Sequence, residues 1–356
     1  MQRISWIDRW RGLLIVSIVM FHVVGIGMIS CSGCLAIALG IIKTFISAYH
    51  VASFFVIAAI LFPQTELTFG LFLEKKLMRL LIPYVVFGGL MVVVFYFSKS
   101  YTGDAEYYST LGKFAWYDPL LALMHGGGWP QNVGARVLGP LWFLPCFFSS
   151  QVFFYLINKV CDNALKWLCA AAIFLLMRVI CVYIAYDFNP FGIGMALEYV
   201  AIMCVFRGIV VKKDYMEDWR LPFKFFIPAL VFVVIGCLKS IALPSVAAVF
   251  NRTFASIFAI IGSAMMAKII TVDILAFVGR YSIGIFLIHK FVLVFLQAIT
   301  CNMAFCFRNG IAMGLFSVVG ITCIVVVVSI VITRVVRRIA PFTLGEKHVI
   351  KKRKLP

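Results

Sequence analysis

Apolar residues in this chain run in blocks of helix length, separated by short polar breaks, and no ten-residue stretch alternates apolar with polar positions. A bilayer is crossed either by helices of roughly 20 apolar residues or by alternating strands closed into a barrel, so this pattern selects helices. Reading from one polar break to the next predicts ten spans, at 11–30, 44–62, 80–97, 140–157, 167–186, 192–211, 224–239, 246–267, 281–299 and 311–333. The expected fold class is all-α: a polytopic transmembrane bundle of about ten helices filling residues 1–340, followed by a basic tail at 341–356. Only one connection is long, residues 98–139, and loops of that length in a compact domain are usually functional or disordered.

Composition agrees, because 63% of the 356 residues are hydrophobic and 13% charged, too few charges to cover a water-exposed surface. The formal net charge of +18 is read first as membrane orientation, with anionic lipid as a further contact for the tail and nucleic acid as a poor fit. Placing both termini and alternate loops in the cytoplasm puts 23 of the 32 Lys and Arg inside and 7 outside, the positive-inside bias, and an odd number of spans would spoil it. Most of the 11 cysteines fall inside apolar runs, where Cys acts as a small hydrophobe rather than a disulfide partner. Arg3, Arg9 and Arg11 precede the first apolar run without a small-residue cleavage site, so that run is expected to be a retained helix.

Ionisable side chains at membrane depth are costly and mark functional sites by default. Arg11 and His22 are eleven residues apart, roughly 20° past three full turns, so both point along one helix face about 16 Å apart. Arg11 is then at the inner interface, facing a cytoplasmic anionic group or serving as a snorkelling anchor paired with Asp8, and His22 is deep enough that its imidazole needs a partner. His289 approaches the same depth from the ninth span. His50 and Arg178 are open between cavity-lining and structural roles, and Glu198 is expected at a rim. Rings interleaved with carboxylates in the long loop fit either an interfacial belt or the faces of a sugar. Hydrolase-elbow, P-loop and paired zinc-ligand motifs are absent, so no metal is expected. A secondary transporter or flippase fits the composition equally well, although no matching pair of broken helices stands out in the two halves.

Four strings in order resemble the acyltransferase-3 family of bacterial membrane O-acyltransferases: Asp8-Arg9-Trp10-Arg11-Gly12 with His22 eleven residues after Arg11, Leu80-Leu81-Ile82-Pro83-Tyr84 after Lys75, Lys76 and Arg79, Gly139-Pro140-Leu141-Trp142-Phe143-Leu144, and Phe277-Val278-Gly279-Arg280-Tyr281-Ser282 leading to His289. The resemblance implies transfer of an acyl group, most simply acetyl, from cytoplasmic acyl-CoA to a hydroxyl of a surface glycan or its lipid-linked precursor, in the bacterial inner membrane. It implies His22 as general base, with His289 as a second catalytic candidate and His289, Arg178 or Trp142 open as oxyanion donors. Arg11, Lys75, Lys76 and Arg79 would receive the donor phosphates, and Trp116, Asp118, Trp129 and Trp142 would hold the acceptor. The 23 residues after the last span leave no room for the hydrolase-like domain appended in some relatives. One departure is Ala58-Ala59, where the family usually has Ser-Gly, which keeps a catalytically silent relative among the alternatives.

Overall fold

The computed structural model describes residues 4–62, 68–101, 117–126, 138–183, 190–210, 245–299 and 311–346, and among these it is helical with no strand. The first expected span is α1 (Ser5–Ser30). The second is divided into α2 (Gly33–Tyr49) and α3 (Ala52–Ile60), and the third is joined from α4 (Phe69–Lys76) and α5 (Ile82–Tyr101). A short α6 (Asp118–Met124) precedes α7 (Phe143–Asn158), α8 (Ala164–Tyr183) and α9 (Ile193–Val210). The chain then supplies α10 (Ser245–Ile269), α11 (Asp273–Arg280), α12 (Ser282–Ile299) and α13 (Ile311–Ile339). Eight segments among the described residues are long and apolar enough to cross a membrane, and α9 stands where a span was expected at 192–211. The span expected at 224–239 lies outside the described residues.

Two local irregularities have chemical causes. Pro83 has no N–H to offer the Arg79 carbonyl, and the preceding turn, Leu77–Leu81, is wound as a π-helix. Between α2 and α3 the His50 ring nitrogen Nδ1 bonds the Ile46 carbonyl at 2.6 Å, alongside the His50 backbone N–H at 3.2 Å. That doubled acceptor marks the break in the second span and fixes the imidazole against its own helix.

Helix α1 is the axis of the bundle, packed by α2, α10, α11, α12 and α13. Its tightest crossing is with α11, where backbone meets backbone. A Cβ on Gly12 would overlap the Leu275 carbonyl, and one on Gly279 would overlap the Asp8 carbonyl. The two glycines belong to the first and last of the four family-like strings, so strings that look independent in sequence are two halves of one contact. Nearby, Trp10 donates to Ser263 Oγ at 3.0 Å and Arg9 Nε donates to the Ala267 carbonyl at 3.1 Å, tying the start of α1 to the end of α10. Arg334 and Arg337, near the end of α13, stack on Tyr281 and so join the same face. The start of α1 and the end of α13 therefore lie on one side of the bundle, as an even number of crossings requires.

The outward faces suit lipid. Ile173, Leu176 and Ile180 on α8, with Phe316, Val319, Val327 and Val331 on α13, are exposed apolar side chains at helical spacing. Without a water-driven hydrophobic force between helices in lipid, close backbone approach through small residues is the stronger determinant of which helices adjoin. Gly279→Val is accordingly expected to cost at least about 1–3 kcal/mol through overpacking and to lower the melting temperature of the detergent-solubilised protein; an unchanged melt would contradict the crossing.

Candidate active site

The crossing at Gly12 and Gly279 sets a common starting height for the two helical paths that lead away from it. His22 is ten residues, about 15 Å of rise, beyond Gly12 on α1, and His289 is ten residues beyond Gly279 along α11 and α12. The two rings meet with centroids 5.3 Å apart and planes inclined by 38°. Phe21 lies edge-on to His22 at 5.3 Å and stacks on His50 at 5.0 Å, so three histidines from α1, the α2–α3 break and α12 share one layer inside the bundle.

The His289 ring is fully buried. Its Nδ1 lies 3.0 Å from the Ile285 carbonyl, which can only accept, so Nδ1 carries the proton and Nε2 keeps a free lone pair. That Nε2 is buried and has no hydrogen-bond partner. An orphaned acceptor of this kind normally costs about 1–3 kcal/mol, and its retention next to a second imidazole is characteristic of a proton-handling site. His22, by contrast, is not fully buried. Its face toward the protein, rather than toward lipid, agrees with the shared stripe expected from the spacing with Arg11.

Arg11 itself is at the α1 end of that stripe, its side chain 34% exposed and its guanidinium 3.3 Å from Asp8. Near the α11–α12 junction and the end of α13, a cavity of about 550 Å³ is lined by Phe277, Arg280, Tyr281, Arg337 and Glu346. Arg334 borders it, donating to the Tyr281 hydroxyl at 3.2 Å and stacking 5.4 Å from the Phe277 ring centre. Guanidiniums over aromatic rings fit a planar base and its phosphates, since Arg pairs phosphate through two parallel donors and stacks on π faces. In the sequence Arg280, Arg334 and Arg337 count only as orientation charges; their convergence is set by the α11–α12 bend and the end of α13, which no local pattern encodes.

The other expected donor residues separate. Lys75 and Arg79 are exposed on the turn between α4 and α5. Lys76 instead donates to Gln151 Oε1 at 2.9 Å and lies over Phe72, anchoring α4 to α7. Residues from Pro341 to Glu346 fold back over this turn: Gly345, at φ 69°, packs on the Arg79 backbone, and Glu346 accepts from Arg337 Nε at 2.9 Å.

Of the acceptor candidates, Trp142 closes the 3-10 turn Gly139–Trp142 leading into α7. Asp118 opens α6, a helix held to α5 by the Tyr84 hydroxyl donating to the Leu123 carbonyl at 2.8 Å. Trp116 and Trp129 lie outside the described residues. At the position of the missing Ser-Gly pair, Ala59 is buried and its carbonyl accepts from Arg207 at 3.4 Å.

Glu198 departs from its expected rim position. It is 4% exposed, bound through both oxygens by Arg252, with Arg178 Nε at 3.6 Å. This triad joins α8, α9 and α10, which gives Arg178 a structural partner rather than an open cavity. A model of a protein family described as an acyltransferase domain matches residues 4–334. Neither a curated protein nor a solved structure matches the chain. Glu198→Ala would remove the carboxylate shared by largely buried Arg178 and half-exposed Arg252, and should lower the melting temperature and the recovery from membranes, while normal yield and melting would refute a structural triad.

Proposed function

Because the chain belongs to the acyltransferase-3 family, with nearly its whole length matched, we propose that it moves an acyl group, most simply acetyl, from acyl-CoA at the face where α1 begins to a glycan hydroxyl at the opposite face. In coarser terms the protein is a multi-pass membrane acyltransferase that acts on a hydroxyl-bearing acceptor. The finer reading is carried by one observation, the paired His22 and His289 rings at membrane depth on α1 and α12.

In this reading Arg11, Arg280, Arg334 and Arg337 hold the donor phosphates, Phe277 and Tyr281 carry its base, and Lys75 and Arg79 add positive potential at the approach. The fit rests on the chemistry of that donor set, three guanidiniums and two rings around one cavity. A thioester drawn past Arg11 along the α1 stripe reaches the histidine layer, about 15 Å further in.

A sugar hydroxyl is a weak nucleophile at neutral pH, so its proton must go to a base as the new bond forms. His22 takes that proton while the hydroxyl oxygen bonds the acyl carbon. The carbon–sulfur bond then breaks, and the His22 imidazolium returns the proton to the departing thiolate. His289 supports His22 through its free Nε2 lone pair and positions the ring; Trp142 and Asp118, with Trp116 and Trp129 from the long loop, hold the acceptor. Burial of the layer excludes water, which would otherwise compete for the acyl carbon. In orientation terms, the positive-inside bias puts both termini in the cytoplasm, where acyl-CoA is available.

Incubating membranes with radiolabelled acetyl-CoA tests this directly: label should enter an extractable glycan, and uptake of free solute without transfer would support transport instead. His22→Ala should reduce transfer by about 10²- to 10⁴-fold with unchanged expression and melting. Arg334→Ala should raise the acyl-CoA KM by about 10- to 100-fold with kcat recovered at saturating donor, and a pure kcat defect would remove the donor-binding role.

A further inference from the structure

Beyond the histidine layer, on the side away from the arginines, the structure places two lysines at membrane depth that the proposed acyl transfer leaves without a role. Lys43 is ten residues into α2 and Lys290 eight residues into α12, roughly 15 Å and 12 Å from the ends of their helices. Lys43 Nζ is 5.3 Å from the Phe21 ring centre and would lie 3.5 Å from a Cβ on Gly25, three residues past His22. Lys290 runs its stem under the turn at Gly139, where a Cβ would lie 3.5 Å from Lys290 Cε and the backbone has φ 55°. A residue with a side chain would be strained at that turn by its positive φ, while its Cβ would make ordinary contact with the lysine stem.

Neither ammonium has an ion pair or hydrogen bond among the described residues. The charged and titratable groups close enough to act on His22 are His289, Lys290, His50 and Lys43, all basic. The carboxylates of the described residues are engaged elsewhere or lie outside this group: Asp8 pairs with Arg11, Glu198 with Arg178 and Arg252, and Glu346 with Arg337. Among the described residues no carboxylate compensates either ammonium, with Lys43 resting only over the Phe21 ring, and charge at this depth costs several kcal/mol; His289 Nε2 is a buried polar atom without a hydrogen-bond partner. A compact, strongly hydrated ammonium on a flexible stem suits a single point of negative charge.

We propose that Lys43 and Lys290 form an anion-binding subsite next to His22, so that the acceptor is a charged saccharide carrying a carboxylate or phosphate close to the hydroxyl that is acylated. This deepens the functional reading and rests on it for the identity of the ligand as acceptor. The arrangement separates two kinds of cation by task. Arginines with aromatic rings sit at the donor end, where bidentate pairing and stacking are useful, and lysines sit at the acceptor end, where one anion orients a sugar against the base.

The test measures binding to the purified His22→Ala protein, which separates recognition from turnover. Octyl β-glucoside, octyl β-glucuronide and octyl glucose 6-phosphate share one aglycone and differ in charge. The wild-type lysine pair should favour one or both anionic glycosides by about 10- to 100-fold over the neutral one, and which of the two is favoured identifies carboxylate or phosphate. That preference should collapse toward one in Lys43→Gln and Lys290→Gln and persist in Lys290→Arg, which guards against a folding defect. Equal binding of all three glycosides, unchanged preference in both Gln variants, or a loss of acyl-CoA binding in its place would overturn the proposal. Preserved charge preference in a protein that transfers no acyl group would sink the catalytic reading and leave the anion site standing.

Discussion

The backbone contact between Gly12 and Gly279 is the constraint on which the site depends. Two helices can approach this closely only where both lack a side chain, since a Cβ on either glycine would overlap the partner's carbonyl. The crossing fixes the height of α12 against α1, and equal rises of ten residues then bring His289 level with His22. It also turns Arg280 and Tyr281 toward the end of α13, which makes the cavity. One contact between two glycines thus decides the position of the imidazole pair and the shape of the arginine end together.

Charged groups at membrane depth divide by whether the protein satisfies them. Glu198 holds Arg178 and Arg252 in a set spanning three helices, where removal of the carboxylate leaves both guanidiniums without it. The histidine layer is different in kind. His289 Nε2 lacks a partner, and the lysines beside the layer carry charge with no counter-ion among the described residues. Stability alone gives no reason to keep such groups in place.

Arrangement along the bundle obeys the same electrostatic logic. The face shared by the start of α1 and the end of α13 is rich in guanidiniums that stack on Phe277 and Tyr281. Imidazoles, which change charge most easily, occupy the middle. Ammoniums lie beyond them.

Much of this is legible in the chain itself. Runs of about 20 apolar residues fix helices, because lipid offers no partner for a free backbone amide, and the 3.6-residue turn puts Arg11 and His22 on one face whatever surrounds them. The four motif strings likewise name His22 and His289. What sequence cannot give is adjacency: nothing local says that Gly12 meets Gly279, that Lys76 turns inward to Gln151, or that Glu198 is buried between two arginines. Those pairings join residues up to hundreds of positions apart, and in lipid they are chosen by side-chain volume and hydrogen-bond fit between whole helix faces. Periodicity set each helix and its polar stripe; only the packing of one helix on another decided which stripes face each other, and therefore which side chains make a site.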